Sequence, residues 1–430
     1  MRLKEALSRS NSLFIAWAVI ASFGAYFCMY AFRKPFNSGL YTGLQMGEVG
    51  YKTILIIAQV AGYTLSKFVG VKVISELKPG SRITLIVTLI LIAEVALLFF
   101  GLVPFPYNFI FLFINGLPLG MVYGVVFSFL EGRRFTEMLA MGLNISVVVA
   151  SGILKTTYIE VHTLLPGVSE FWMPALMGLL FLPLFLMFVW MLSVIPAPTL
   201  EDINQRSERN PMSKSDKQRV MKDLGIPVIC LIICYATLVI GRDLRDNFTI
   251  EIWNELDANW QSSVLSSTEL ITGIIVLIVI GNLAFVKDNL IGFRLTNLIL
   301  IAGITITGLA TFLFQTNMID GFYWMLLVGL GMFLCYTVLQ SVLFDRMIAL
   351  FRIKANAGYF VYMCESIGYL GSVGLLLYKE FFMKDISWIN VLKHFTYLQF
   401  GTGLVLLILS NVYLERYRRR SCFPEASPAL

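Results

Sequence analysis

The chain has 430 residues, 57% of them hydrophobic and 14% charged, with a formal net charge of +6 and a mean hydropathy of +0.77. A water-soluble globule carries nearer 25% charged residues, so the composition excludes one and points to a chain that crosses a bilayer many times. Six scattered cysteines make neither a disulfide framework nor a zinc pattern, and two histidines, His162 and His394, leave metal catalysis without ligands. No Gly-x-x-x-x-Gly-Lys-Ser/Thr loop is present to bind ATP, and no cofactor or enzymatic constellation is expected. The positive balance needs no nucleic acid, because membrane proteins gather Lys and Arg on one face.

A hydrocarbon core takes about 20 apolar residues per helix. Apolar stretches bounded by charges, Pro or Gly predict twelve spans, at 11–32, 50–71, 83–101, 106–130, 136–156, 171–195, 225–242, 260–286, 290–314, 321–345, 355–378 and 394–414. The first run is too long for a signal-peptide core and lacks a closing small-x-small site, so it counts as a span. Lys and Arg crowd the segment before span 1, the even-numbered connections and the C-terminus. That bias predicts a multi-pass protein of the cell (inner or plasma) membrane with both termini cytoplasmic. The fold class expected is all-α integral membrane, twelve helices in two pseudo-symmetric six-helix bundles. The domains expected are a bundle over 1–195, a polar cytoplasmic linker over 196–224, a second bundle over 225–416 and a tail over 417–430.

A repeat supports the two halves: Tyr26 precedes Arg33 by seven residues in span 1, and Tyr235 precedes Arg242 by seven in span 7. Seven residues are two helical turns, so each pair shares a face. An arginine inside a span costs about 2.5 to 3.5 kcal/mol unless it meets a wet, paired cavity, and its planar fork suits phosphate or carboxylate. Arg245 is the nearest substitute for Arg242. Glu365, in the middle of span 11, needs a cation or a proton and ranks first as a proton-coupling residue, with Glu269 second and Glu94 third. Tyr26, Tyr30, Tyr63, Tyr336 and Tyr362 are the tyrosines expected near a cavity. The acidic stretch of Asp243, Asp246, Glu251, Glu255 and Asp257 reads as a solvated face.

The segment Ala25-Tyr-Phe-Cys-Met-Tyr-Ala-Phe-Arg-Lys-Pro-Phe36, then Gly62-Tyr-Thr-Leu-Ser-Lys-Phe-Val-Gly70, Ser81-Arg82, Ala357-Gly-Tyr-Phe and Gly368-Tyr-Leu-Gly-Ser372 resemble the organophosphate:phosphate antiporters of the major facilitator superfamily. The resemblance implies that Arg33 and Arg242 hold the substrate phosphate and that Lys67, in the Ser-Lys-Phe motif, is a third anion ligand. The chain departs from the family where span 5 lacks a histidine and where the loop Gly70-Val-Lys-Val-Ile-Ser-Glu-Leu-Lys78 lacks Asp-Arg. A divergent member is therefore expected, acting as a monomer on a small anionic solute by exchange or proton coupling. The alternatives are a carrier of a neutral or cationic solute that uses Glu365, or a non-transporting protein on the same scaffold.

Overall fold

The computed structural model describes residues 2–75, 77–130, 136–197, 214–351, 353, 355, 357–383 and 386–422. Most of the expected linker, the end of the expected tail, Glu76 and the Tyr362 side chain lie outside the described residues. The helices are α1 (Arg2–Arg9), α2 (Asn11–Ala31), α3 (Tyr51–Ser75), α4 (Arg82–Leu102), α5 (Phe109–Ser128), α6 (Thr136–Leu164), α7 (Met173–Val194) and α8 (Lys214–Asn247). They continue with α9 (Thr249–Leu256), α10 (Ser263–Ala284), α11 (Asn289–Gln315), α12 (Gly321–Val338), α13 (Phe344–Phe351), α14 (Ala357–Phe382) and α15 (Trp388–Cys422). A short antiparallel hairpin of β1 (Gln45–Met46) and β2 (Val49–Gly50) precedes α3.

Among the described residues, twelve stretches are long and apolar enough to cross a membrane, and they follow the expected order. Large apolar side chains such as Leu102, Phe285 and Leu370 stand exposed, which suits helices whose solvent is lipid. Several boundaries move, among them the last span, expected over 394–414, whose helix covers Trp388–Cys422. The fifth span, expected to stop at 156, continues as α6 to Leu164, and the seventh, expected over 225–242, belongs to a helix that runs to Asn247. Charged residues mark the end of a span on a hydropathy scale, but Lys155, Arg245 and Asp246 are held inside by partners of opposite sign, so the helices pass through them.

The helices pack as two compact units. The first comprises Met1–Ser207, Arg245–Gly281 and Leu375–Ile389. Within it α5 lies against α3 and α4, α2 against α6 and α7, and α4 also against α7. Glycines set the α3–α5 distance: a Cβ on Gly62 would fall 2.1 Å from the Phe113 carbonyl oxygen, and one on Gly116 would fall 2.4 Å from that of Gln59. Small residues permit this approach where lipid supplies no hydrophobic drive for helix association.

The second unit comprises Glu208–Leu244, Asn282–Gly374 and Asn390–Leu430. Here α11 packs on α12, and a π turn at Leu339–Leu343 joins α12 to α13. The buried Trp324 donates to Thr311 Oγ1 at 3.1 Å, and that hydroxyl lies 2.9 Å from Thr396 Oγ1.

Gly62→Ala is expected to destabilise the protein by about 1–3 kcal/mol, the usual cost of overpacking, seen as a lower thermal midpoint in detergent. Gly374→Ala, whose added Cβ meets no heavy atom within 4 Å, should leave the midpoint where it is. Equal losses in the two variants would show that the α3–α5 approach is not what limits stability.

Candidate functional site

In the first unit, Arg33 follows the last turn of α2, with its backbone N–H donating to the Tyr30 carbonyl. Its side chain is buried, 8% exposed, with the guanidinium carbon 3.9 Å from the centre of the Tyr63 ring and 5.7 Å from that of Tyr30. The flat, weakly hydrated guanidinium suits an aromatic face better than an ammonium does. Lys67, one turn after Tyr63 on α3, brings its Nζ to 5.1 Å from the same ring. Tyr26 meets both Tyr30 and Tyr123 edge to face, at 5.5 and 5.4 Å between centres. Spacings of four and three along α2 (Tyr26, Tyr30, Arg33) and four along α3 (Tyr63, Lys67) therefore deliver the expected residues to one cluster.

Beneath Arg33 lies a hydrogen-bonded floor. Gln59 Nε2 donates to the Arg33 carbonyl and to Asn115 Oδ1, each at 2.9 Å. Asn115 Nδ2 in turn donates to the carbonyls of Phe32 and Ala93, each at 3.0 Å. The bonds to Phe32 and Arg33 satisfy carbonyls left open where α2 gives way to the 3-10 turn at Pro35–Ser38, and the bond to Ala93 ties that turn to the middle of α4.

The same unit holds a buried ion network that the sequence reading missed. Asp246 accepts from Lys34 Nζ at 2.5 Å on one oxygen and from Lys155 Nζ at 2.7 Å on the other, and Ser151 also donates to it. Lys155 donates further to the Asp246 carbonyl and to Thr249 Oγ1, the latter at 3.0 Å. Lys34 and Asn37 share the Asn247 side-chain oxygen at 3.1 and 2.8 Å. Arg245 Nη1 meets Glu269 Oε1 at 2.6 Å, and Lys52 Nζ meets Glu251 Oε1 at 2.5 Å. The expected solvated face is thus corrected for Asp243, Asp246 and Glu251, which turn inward because each finds a cation there. A signal was present in Lys155, since a lysine within an apolar run demands a partner. Outside the spans, Glu170 accepts from the backbone N–H groups of Leu40 and Tyr41. Burial, with Tyr158 and Glu170 adding to it, pushes the Tyr41 phenol well above its ordinary value.

The second unit builds its own arginine cluster. Arg242 donates through Nε and Nη2 to Asp243 Oδ1 at 3.2 and 2.9 Å, and Ser372 Oγ donates to Asp243 Oδ2 at 3.1 Å. The guanidinium carbon lies 4.4 Å from the centre of the Tyr336 ring, which meets the fully buried Tyr235 at 5.4 Å between centres. The Tyr336 hydroxyl donates to Glu365 Oε1 at 3.2 Å, and Gln340 Nε2 approaches the same oxygen at 3.4 Å. Gln340 belongs to the π turn, a distortion that re-aims side chains and gathers at functional sites. Arg242, Tyr235, Tyr336 and Glu365 are thereby one chain of contacts, whereas Arg245 and Glu269 form a separate pair in the first unit.

Solved structures identify the fold. Nucleoside transporter NupG superposes with a TM-score of 0.62 at 15% identity, over 96% of this chain and 100% of that one. The POT family transporter PepTSo gives 0.60 at 13%, over 94% and 98%, and a D-xylose-proton symporter gives 0.58 at 12%, over 92% and 96%. The fold is the twelve-helix fold of the major facilitator transporters, and the chain is a multi-pass membrane protein. It belongs to DUF5690, a family of unknown function, which it matches over residues 35–417. No curated protein matches it in sequence.

Asp246→Asn is expected to cost about 3–5 kcal/mol, because it strands two buried lysines. Lys155→Met should cost a similar amount, and the double variant Asp246→Asn/Lys155→Met less than the sum. Additive losses in a thermal-shift cycle would mean that the two residues do not act as a pair.

Proposed function

We propose that the chain is a secondary transporter that moves a small anionic solute, an organophosphate or a carboxylate, by alternating access, with Arg33 and Arg242 as its anion-recognising groups. The observation that carries this reading is the matched setting of the two arginines. Each follows a tyrosine by seven residues, lies against a tyrosine ring and is largely removed from solvent, which a charged guanidinium in a membrane protein tolerates only where it meets partners or a solute. Transporters of nucleosides and of D-xylose with protons share the fold, which supports a carrier without fixing its solute. Lys67, on the far side of the Tyr63 contact from the α2 residues in sequence, is the third anion ligand in this reading. The termini face the cytoplasm and the chain acts as a monomer, and the resemblance to organophosphate:phosphate antiporters makes phosphate esters the first solutes to try.

A second reading draws on the Arg242–Asp243 contact at 2.9 Å, which already gives that guanidinium an acid. In it the solute is neutral or cationic, Glu365, which accepts from Tyr336 and lies close to Gln340, carries the proton, and the arginines are structural.

Uptake by proteoliposomes over a panel of phosphorylated and non-phosphorylated anions separates the two. Arg33→Lys and Arg242→Lys are each expected to weaken uptake of the best anion by at least about 30-fold, the low end of the roughly 2 to 5 kcal/mol cost of breaking a buried charged contact. Parent-level uptake in folded Arg33→Ala and Arg242→Ala would overturn the anion reading. Glu365→Gln should then abolish uptake driven by a pH gradient while sparing counterflow if the second reading holds.

A further inference from the structure

Glu94 lies midway along α4 and is 4% exposed. Neither of its carboxyl oxygens has a hydrogen-bond partner among the described residues. α5 and α7, which pack on α4, contain no Asp, Glu, Lys, Arg or His, and the one other charged residue of α4 is Arg82, twelve residues or roughly 18 Å away along the axis. The titratable side chain of α5 is Tyr123, whose hydroxyl donates to Asn144, and α7 has none. From α2 come Tyr26, Cys28 and Tyr30, then Arg33 and Lys34, whose contacts run to Tyr63 and Asp246.

The niche is shaped for a carboxyl. A Cβ on Gly178 of α7 would fall 2.0 Å from Glu94 Oε2 and 3.1 Å from the Phe32 ring, so the acid and the last residues of α2 meet at one point. An ionised carboxylate in such a place has nothing to replace its lost hydration, and the neutral acid is the form that fits. The site is also wired to Arg33. Asn115 joins the carbonyl of Ala93, next to Glu94, to that of Phe32, next to Arg33, and Gln59 joins Asn115 to the Arg33 carbonyl.

We propose that Glu94 is a proton-binding site of the first unit, whose loading is communicated through Asn115 and Gln59 to the backbone that aims Arg33. The O–H bond breaks when water reaches the carboxyl, the proton leaves to that water, and the anion left behind pulls water or a cation into the α4–α5–α7 packing. Protonation stands on the geometry alone. The further step, that this proton couples to solute movement, rests on the transporter reading.

Two solute-free measurements on protein in lipid nanodiscs test the site. An infrared difference spectrum, wild type minus Glu94→Gln at neutral pH, is expected to contain the C=O stretch of a protonated carboxyl. Carboxylate bands in its place would overturn the proposal. Glu94→Asp, which should shift the band, serves if Glu94→Gln is not recovered folded. Hydrogen exchange of peptides spanning 29–36, corrected for intrinsic rates, should lose protection by up to about tenfold per pH unit in the wild type once the proton is released, the slope of one linked proton. Glu94→Gln and Asn115→Leu should flatten that dependence, and Asn115→Leu should keep the infrared band. Identical exchange profiles in the wild type and Glu94→Gln would overturn the link to Arg33. Because neither measurement uses a solute, failure of the anion reading leaves them interpretable, and loss of the band leaves the anion reading intact.

Discussion

Asp246 held between Lys34 and Lys155 is the contact on which the first unit depends. In an interior without water, a lone carboxylate or ammonium is dear to bury, and removal of one member leaves the others exposed to that cost. The three residues come from α8, the turn after α2, and α6, so a single ion cluster ties together segments more than 200 residues apart in sequence. The hydroxyls of Ser151 and Thr249 and the amides of Asn37 and Asn247 complete the shell, as a buried charge requires of its surroundings. The Arg245–Glu269 and Lys52–Glu251 pairs repeat the solution nearby with residues of α8, α10, α3 and α9.

The arginines also use aromatic faces to solve this problem. Arg33 lies on the Tyr63 ring, and Arg242 divides its charge between Asp243 and the Tyr336 ring. A ring quadrupole attracts a cation through its face.

The spans, their number and their order are legible in the sequence because apolar length is a property of each segment by itself. The seven-residue spacing in α2 and α8 likewise places Tyr26 with Arg33, and Tyr235 with Arg242, since helical faces are local geometry. Partners across helices are not local. Asp246 reads as the start of a solvated acidic stretch because nothing near it in sequence reveals Lys155 or Lys34 as its neighbours. Glu94 is the reverse case. Its helix looks peripheral, and only packing against Gly178 shows a carboxyl enclosed on an uncharged side of the unit.

Arg33 and Lys34 are consecutive, yet one side chain lies on Tyr63 and the other on Asp246. Both of their backbone N–H groups donate to the Tyr30 carbonyl, and Pro35 fixes the chain immediately after them. The two cations therefore leave the backbone from adjacent Cα atoms about 3.8 Å apart, and a fixed turn sends one to an aromatic face and the other to a carboxylate.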